Sequence, residues 1–159
     1  MINFKILRLE DLDKIISYEK DLLVSSIPDE AEREFTAWKA LWRQEALEHY
    51  LPLGWSFAAW EGEEGESPLL GYFLSQPILF FQGLTQTLWL EHLQANSESL
   101  KDELIDVAYK TCREKHFQSL IFSENIQLGS QNPLIDKLKQ LPSAVNYIST
   151  SKIVGDAWK

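Results

Sequence analysis

Residues 88–124, LWLEHLQANSESLKDELIDVAYKTCREKHFQSLIFSE, constrain the fold of this chain more than any other stretch. Residues 88–93 form an apolar run with polar interruptions, bounded by Gly83 and Asn96, as a strand would be. A helix follows from Ser97 or Ser99. Leu100, Leu104, Val107, Ala108 and Thr111 recur at helical spacing and share one face, while Lys101, Asp102, Asp106, Lys110 and Arg113 fall elsewhere. Asn96, Ser97 and Ser99 are all good N-caps, and Ser99-Leu100-Lys101-Asp102 resembles a capping box. Residues 117–122 read as a second strand. A strand–helix–strand crossover makes the two strands parallel. The first helical turn presents unpaired N–H groups at the positive end of a dipole, which is a ready anion site. Many phosphate-binding turns place glycine there, yet none occurs between Gly83 and Gly129.

The other elements fall on either side of this unit. Residues 3–9 alternate as a strand does, and Asp11 can cap a helix carrying Leu12, Ile15, Ile16, Glu19, Leu22 and Leu23. Of these six, all but Glu19 are apolar. A second helix starts near Pro28 or Asp29 and carries Phe35, Trp38, Leu41, Trp42 and Tyr50, an aromatic stripe that packs on a sheet or walls a substrate groove. Residues 54–61 and 69–75 read as strands joined by the glutamate-rich turn EGEEGESP, a solvated hairpin tip. Pro77 interrupts the second of them, so 78–81 continue it past a bulge or form a new piece. After Glu124, Asn132-Pro133 starts a short helix with Leu134, Ile135, Leu138 and Leu141 on its apolar face, ended by Pro142. Residues 144–150 should be a strand, and 153–158 a last edge strand. The expected architecture is α+β: a mixed sheet of six to seven strands with helices on both faces.

At 159 residues the chain is expected to form one domain, residues 1–159, able to bury roughly 68–70% of its unfolded surface without a metal or disulfide. The 24 acidic residues outweigh 15 basic ones, for a net charge of −9. No basic stripe is visible, which argues against nucleic acid. Such a surface favours cationic partners such as amines or basic peptides through its field. A single cysteine, Cys112, forbids an intramolecular disulfide and fits a reducing cytoplasm. The sequence shows neither a signal peptide nor a membrane span.

This order of elements, over nearly the whole chain, resembles the GNAT superfamily of acyl-CoA-dependent N-acyltransferases. FKILRLEDLDKIISYEKDLL is similar to the superfamily's first strand and helix, GYFLSQPILFFQGLTQTLWLEHL to its third and fourth strands, and VAYKTCREKHFQSLIF to its third helix and fifth strand. The resemblance implies that amides of the turn after the fourth strand hold the pyrophosphate of coenzyme A through Arg/Gln-x-x-Gly-x-Gly/Ala. Two frames match: Gln94, Ser97 and Ser99, or Asn96, Ser99 and Lys101. Both lack the glycines, so the chain reads as a divergent member with a degenerate loop. A serine Cβ makes a positive φ costly, while its hydroxyl can donate to phosphate. Lys101 opposes the helix dipole but can neutralise a phosphate. Leu93, Gln94, Ser97, Ser99, Leu100 and Lys101 are thus the residues implied to hold acetyl-CoA or another acyl-CoA, with Asn132 matching the asparagine before the family's fourth helix. The family's tyrosine acid aligns with Lys139, and Tyr147 lies beyond that helix.

The implied reaction is direct acyl transfer to an amine of a small molecule, a peptide or a protein N-terminus. Glu91 and His92, on the fourth strand, are the candidate bases, with side chains expected on opposite faces. A backbone N–H of that strand would polarise the thioester carbonyl. His49 and His116 sit at or near helix ends and need only the dipole to explain them. No Cys/His spacing for a metal, no serine elbow and no Walker loop occurs, and Cys112 belongs with the core. The alternative is a GNAT-shaped binding or scaffold protein without catalysis. An exposed last strand could pair two copies as a homodimer.

Overall fold

A computed structural model describes residues 1–63, 67–79, 86–140 and 146–150. The chain runs β1 (Ile2–Ile6), α1 (Leu12–Ser26), α2 (Glu30–Trp38), α3 (Gln44–Tyr50), β2 (Phe57–Glu61), β3 (Leu69–Ile78), β4 (Thr87–Ala95), α4 (Glu98–Glu114), β5 (Ser119–Phe122), β6 (Lys139–Gln140) and β7 (Asn146–Ser149). Among the described residues these strands make one seven-stranded sheet in the order β1-β2-β3-β4-β5-β7-β6. Every neighbouring pair is antiparallel except β4 and β5, which the α4 crossover makes parallel.

Helices cover both faces, because alternate strand residues are apolar on both. On one face Leu100, Leu104, Ile105, Ala108 and Cys112 of α4 pack on Phe73, Leu88, Leu90, Leu120 and Phe122. On the other, Ile15 of α1 with Leu47 and Tyr50 of α3 pack on Ala58, Tyr72 and Leu74. Each large side chain so buried contributes about 1.5–3 kcal/mol. The apolar face of α4 is wider than the spacing count showed: Ile105 and Cys112 are buried, while Val107 and Thr111 are only half-buried. Burial pushes the Cys112 thiol up to about 12, as suits a core residue.

α4 begins at Ser97, whose Oγ accepts from the Leu100 N–H at 3.1 Å. The capping box at Ser99 does not form, since Asp102 instead accepts from Asn132 Nδ2 at 2.8 Å. Ser97→Ala should therefore lower stability by about 1 kcal/mol, read as a lower urea midpoint with an unchanged slope. Ser99→Ala should leave the midpoint nearly where it was.

Three expectations are corrected. The single helix after Pro28 is two helices, α2 and α3, with a turn closed by the Arg43 N–H on the Ala40 carbonyl. On one continuous helix Trp38 and Trp42 would share a face. The break sends Trp42 into the core at 6% exposure and leaves Trp38 at 76% and Phe35 at 58%, stacked on each other rather than on the sheet. Secondly, the interruption expected at Pro77 is absent, because β3 passes through it and Pro77 pairs with Leu88. Thirdly, the helix after Pro133 is a single 3-10 turn, Ile135–Lys137. The chain then extends, and Lys139 and Gln140 pair with Tyr147 and Asn146 as β6, so strand pairing ends the segment whose apolar spacing suggests a helix. Lys139 accordingly has no helical position to share with the family's tyrosine. The turn at Gly83, the end of that helix at Pro142 and the edge strand 153–158 lie outside the described residues.

Candidate active site

β4 and β5 pair only from Thr87 with Ser119 to Leu90 with Phe122. The last ties are the Ser123 N–H on the Leu90 carbonyl at 3.0 Å and Ser123 Oγ on the Glu91 carbonyl at 2.8 Å. Beyond them β4 continues to Ala95 without β5 beside it. The register on the other side supplies the cause. Leu74 pairs with His92 but Ser75 pairs with Leu90, so Glu91 is an extra residue, a bulge that bends β4. Two parallel strands therefore part at the point where β4 heads for the N-terminus of α4.

The backbone phase of this free edge follows from one bond. The Asn96 N–H donates to the Leu70 carbonyl at 2.9 Å, which puts Gln94 with Tyr72, and His92 with Leu74, in the same hydrogen-bonding phase toward β3. Leu93 and Ala95, alternating with them, turn their N–H and C=O groups into the gap. The Ala95 N–H is met by Gln94 Oε1 at 3.2 Å. The Leu93 N–H stands at the gap's edge.

The bulge also overturns the expectation that Glu91 and His92 point to opposite faces, since an extra residue breaks strict alternation. Both lie on the α1/α3 side. His49, His92 and Arg43 act electrostatically on the Glu91 carboxyl, although half-burial dominates and raises it above the usual carboxylate range. His92 Nε2 is 3.1 Å from Glu19 Oε1. The Tyr72 hydroxyl donates to the same oxygen at 2.6 Å. Glu19 is only 4% exposed. Sequence reasoning saw Glu19 on the apolar stripe of α1 without giving it a role. A carboxylate at a core position of an amphipathic helix is itself the signal, because a buried charge needs partners.

Burial, then the Glu19 charge, raises the Tyr72 hydroxyl well above its ordinary 10.0, so it stays a donor. The same causes push the neighbouring Tyr18 up to about 12. Its hydroxyl donates to Asn96 Oδ1 at 2.8 Å, tying the turn before α4 to α1. A group that holds its proton more tightly when folded stabilises the fold fully below its unfolded pKa and loses that contribution as pH rises through the folded one. Stability should thus hold up to about pH 10 and decline toward about pH 12, measured as the urea midpoint against pH. Tyr18→Phe should make the decline shallower.

A cavity of about 410 Å³ opens at the mouth of the gap, lined by His92, Leu93, Trp42, Lys39, Asn125 and Ile126 among others. A larger concavity, about 630 Å³, is lined by Phe4, Lys5, Phe57 and Trp60 on β1 and β2, at the β1 edge of the sheet, and has none of these groups.

The turn into α4 needs no glycine. Ser97 is extended at φ −148, and the only non-glycine residues with positive φ among those described are Gln86 and His116. The strain expected of a serine there is absent. Of the first-turn amides, that of Leu100 is bound by Ser97 Oγ and that of Lys101 by the Ser97 carbonyl. Helix geometry leaves those of Glu98 and Ser99 without an intrahelical partner. Lys101 Nζ is 3.2 Å from Glu98 Oε1. Asn132 is buried with both ends of its carboxamide engaged, Nδ2 on Asp102 and Oδ1 taking the Leu134 N–H at 2.9 Å. Among the described residues no group of His, Cys, Asp and Glu could hold a metal, and no helix is long and apolar enough to cross a membrane.

No family model matches the sequence, and no curated protein matches it by sequence. Solved structures do match by fold. The PaiA N-acetyltransferase of Thermoplasma acidophilum, in complex with coenzyme A, superposes with a TM-score of 0.60 at 14% identity over 94% of this chain and 99% of that one. A probable acetyltransferase from Staphylococcus epidermidis gives 0.64 at 17% identity over 95% and 100%. A GNAT family acetyltransferase from Brucella melitensis, in complex with acetyl-CoA, gives 0.57 at 16% identity over 94% and 88%.

Proposed function

The chain has the GNAT fold, and from that premise we propose that it is an acyl-CoA-dependent N-acyltransferase acting on an amine of a small molecule, peptide or protein N-terminus. The observation that carries this reading is the gap itself: a bulged β4 with an unpaired edge leads from a cavity lined by a partly buried histidine to the first turn of α4. An extended amide-bearing chain can add to such an edge as a strand would. The pantetheine arm of coenzyme A has that chemistry, with Leu93 as its backbone partner. The amides of Glu98 and Ser99, with Lys101, are the groups for its phosphates. When bound, acyl-CoA supplies an acyl group on a thiolate leaving group. His92, ahead of Glu91, takes the proton from the attacking amine. The Leu93 N–H steadies the thioester oxygen as charge develops there. The acidic surface draws a cationic acceptor inward.

One observation favours the second reading, a fold-bearing scaffold without catalysis. Ser97 occupies the Leu100 amide, and the Glu98 carboxylate sits in the first turn where phosphate would come. A melting curve with and without acetyl-CoA separates the two. At 100 times its dissociation constant the ligand adds about 2.7 kcal/mol, a rise of several degrees for this size. No rise at millimolar acetyl-CoA would sink the enzyme reading.

A further inference from the structure

We infer that Glu19 is the positioning residue of this site: by taking the Nε2–H of His92 it fixes the imidazole with its basic lone pair on Nδ1, aimed at the acceptor amine. This role rests on the transfer reaction proposed above. The ring nitrogen lies 3.1 Å from Glu19 Oε1, and a carboxylate only accepts hydrogen bonds, so in the assigned pairing that nitrogen carries the proton. A neutral imidazole then has a single basic position left, Nδ1. Glu19 is in turn held by the Tyr72 hydroxyl at 2.6 Å on the same oxygen. The Tyr72 ring packs 5.4 Å from the His92 ring, centroid to centroid. Three elements thus converge: α1 brings Glu19, β3 brings Tyr72, and the bulged β4 brings His92 to the cavity wall.

A buried carboxylate in an apolar helix face is costly unless it is matched. A packing role alone would be served by an apolar residue at position 19. The pair does what packing does not: it stabilises the imidazolium that forms when His92 accepts a proton, and it holds the ring in one tautomer meanwhile. The other charged groups near the ring are Glu91 on β4 and Lys39 at the cavity rim. His49 and Arg43 interact with Glu91.

The test is ¹⁵N NMR of the His92 imidazole in the free protein, with Glu19→Gln and Tyr72→Phe alongside. Wild-type protein should show the Nε2–H tautomer. Glu19→Gln should replace it with a mixture of tautomers, because a carboxamide can donate to a ring nitrogen as well as accept from it. Tyr72→Phe keeps the carboxylate and should leave the tautomer as it is. With acetyl-CoA and an amine, Glu19→Gln should reduce kcat with little change in KM. An Nδ1–H tautomer in wild-type protein, a measurement that needs no variant to fold, would overturn the assignment. So would a His92 tautomer unchanged in folded Glu19→Gln protein. Absence of transfer by wild-type protein that shows the Nε2–H tautomer would overturn the acyltransferase reading and leave the Glu19–His92 pairing standing.

Discussion

His92→Gln should lower kcat for acyl transfer by about 10²–10⁴-fold, the usual worth of a positioned general base. Glutamine is chosen because its amide N–H can still donate to Glu19 Oε1, so the buried carboxylate keeps a partner and the fold survives. Melting curves should confirm this, with the acetyl-CoA-dependent rise preserved, since the groups assigned to the coenzyme lie on the β4 edge and in the first turn of α4. Glu91→Gln provides the contrast. Its side chain shares the face with His92 but is not held by Glu19, and it should cost far less than His92→Gln. The opposite ranking would transfer the role of base to Glu91, whose raised pKa and half-burial make it the competing candidate.

Gly71→Ala should destabilise the protein by about 3 kcal/mol, the upper end of what overpacking costs. Gly71 pairs with Ala95 in the β3–β4 ladder, in the phase where side chains approach most closely. A Cβ there would lie 2.7 Å from Ala95 Cβ, 2.8 Å from the Gln94 carbonyl oxygen and 2.9 Å from Ala95 Cα. None of these belongs to the end of a flexible side chain, so the strands themselves must part. The separation falls at the end of β4 next to the turn into α4. Gly71→Ala should therefore also weaken acetyl-CoA binding, unlike a core truncation of similar cost such as Leu104→Ala, on the buried face of α4. Equal loss of binding in the two variants at matched stability would show that the close approach has no bearing on the site. Urea midpoints and ligand-induced melting shifts measure both effects.

Much of the fold was legible because its signals are local. The spacing from Leu100 to Thr111 announced α4, the flanking apolar runs announced β4 and β5, and a helix between two strands implied their parallel pairing. Three residues, Asn96, Ser97 and Ser99, could have capped α4, and the structure selects Ser97. Failures cluster where a local pattern suits two structures. Trp38 and Trp42 have helical spacing, yet only one could enter the core, and the helix breaks between them. The apolar residues after Pro133 have helical spacing too, yet they make only one 3-10 turn before Lys139 and Gln140 pair with β7. In the candidate site, Glu91 and His92 were named from their strand, and their common face was not, because nothing in the sequence marks the bulge.

By itself, then, the sequence determined the β4–α4–β5 unit and its parallel crossover, since periodicity is read from residues a few positions apart. Only the tertiary structure decided that Glu91 bulges, that β4 leaves β5 after Leu90, and that Glu19 lies against a histidine 73 positions away. Register depends on how two strands pair, and a buried charge depends on what is packed over it. Neither is a property of either segment alone.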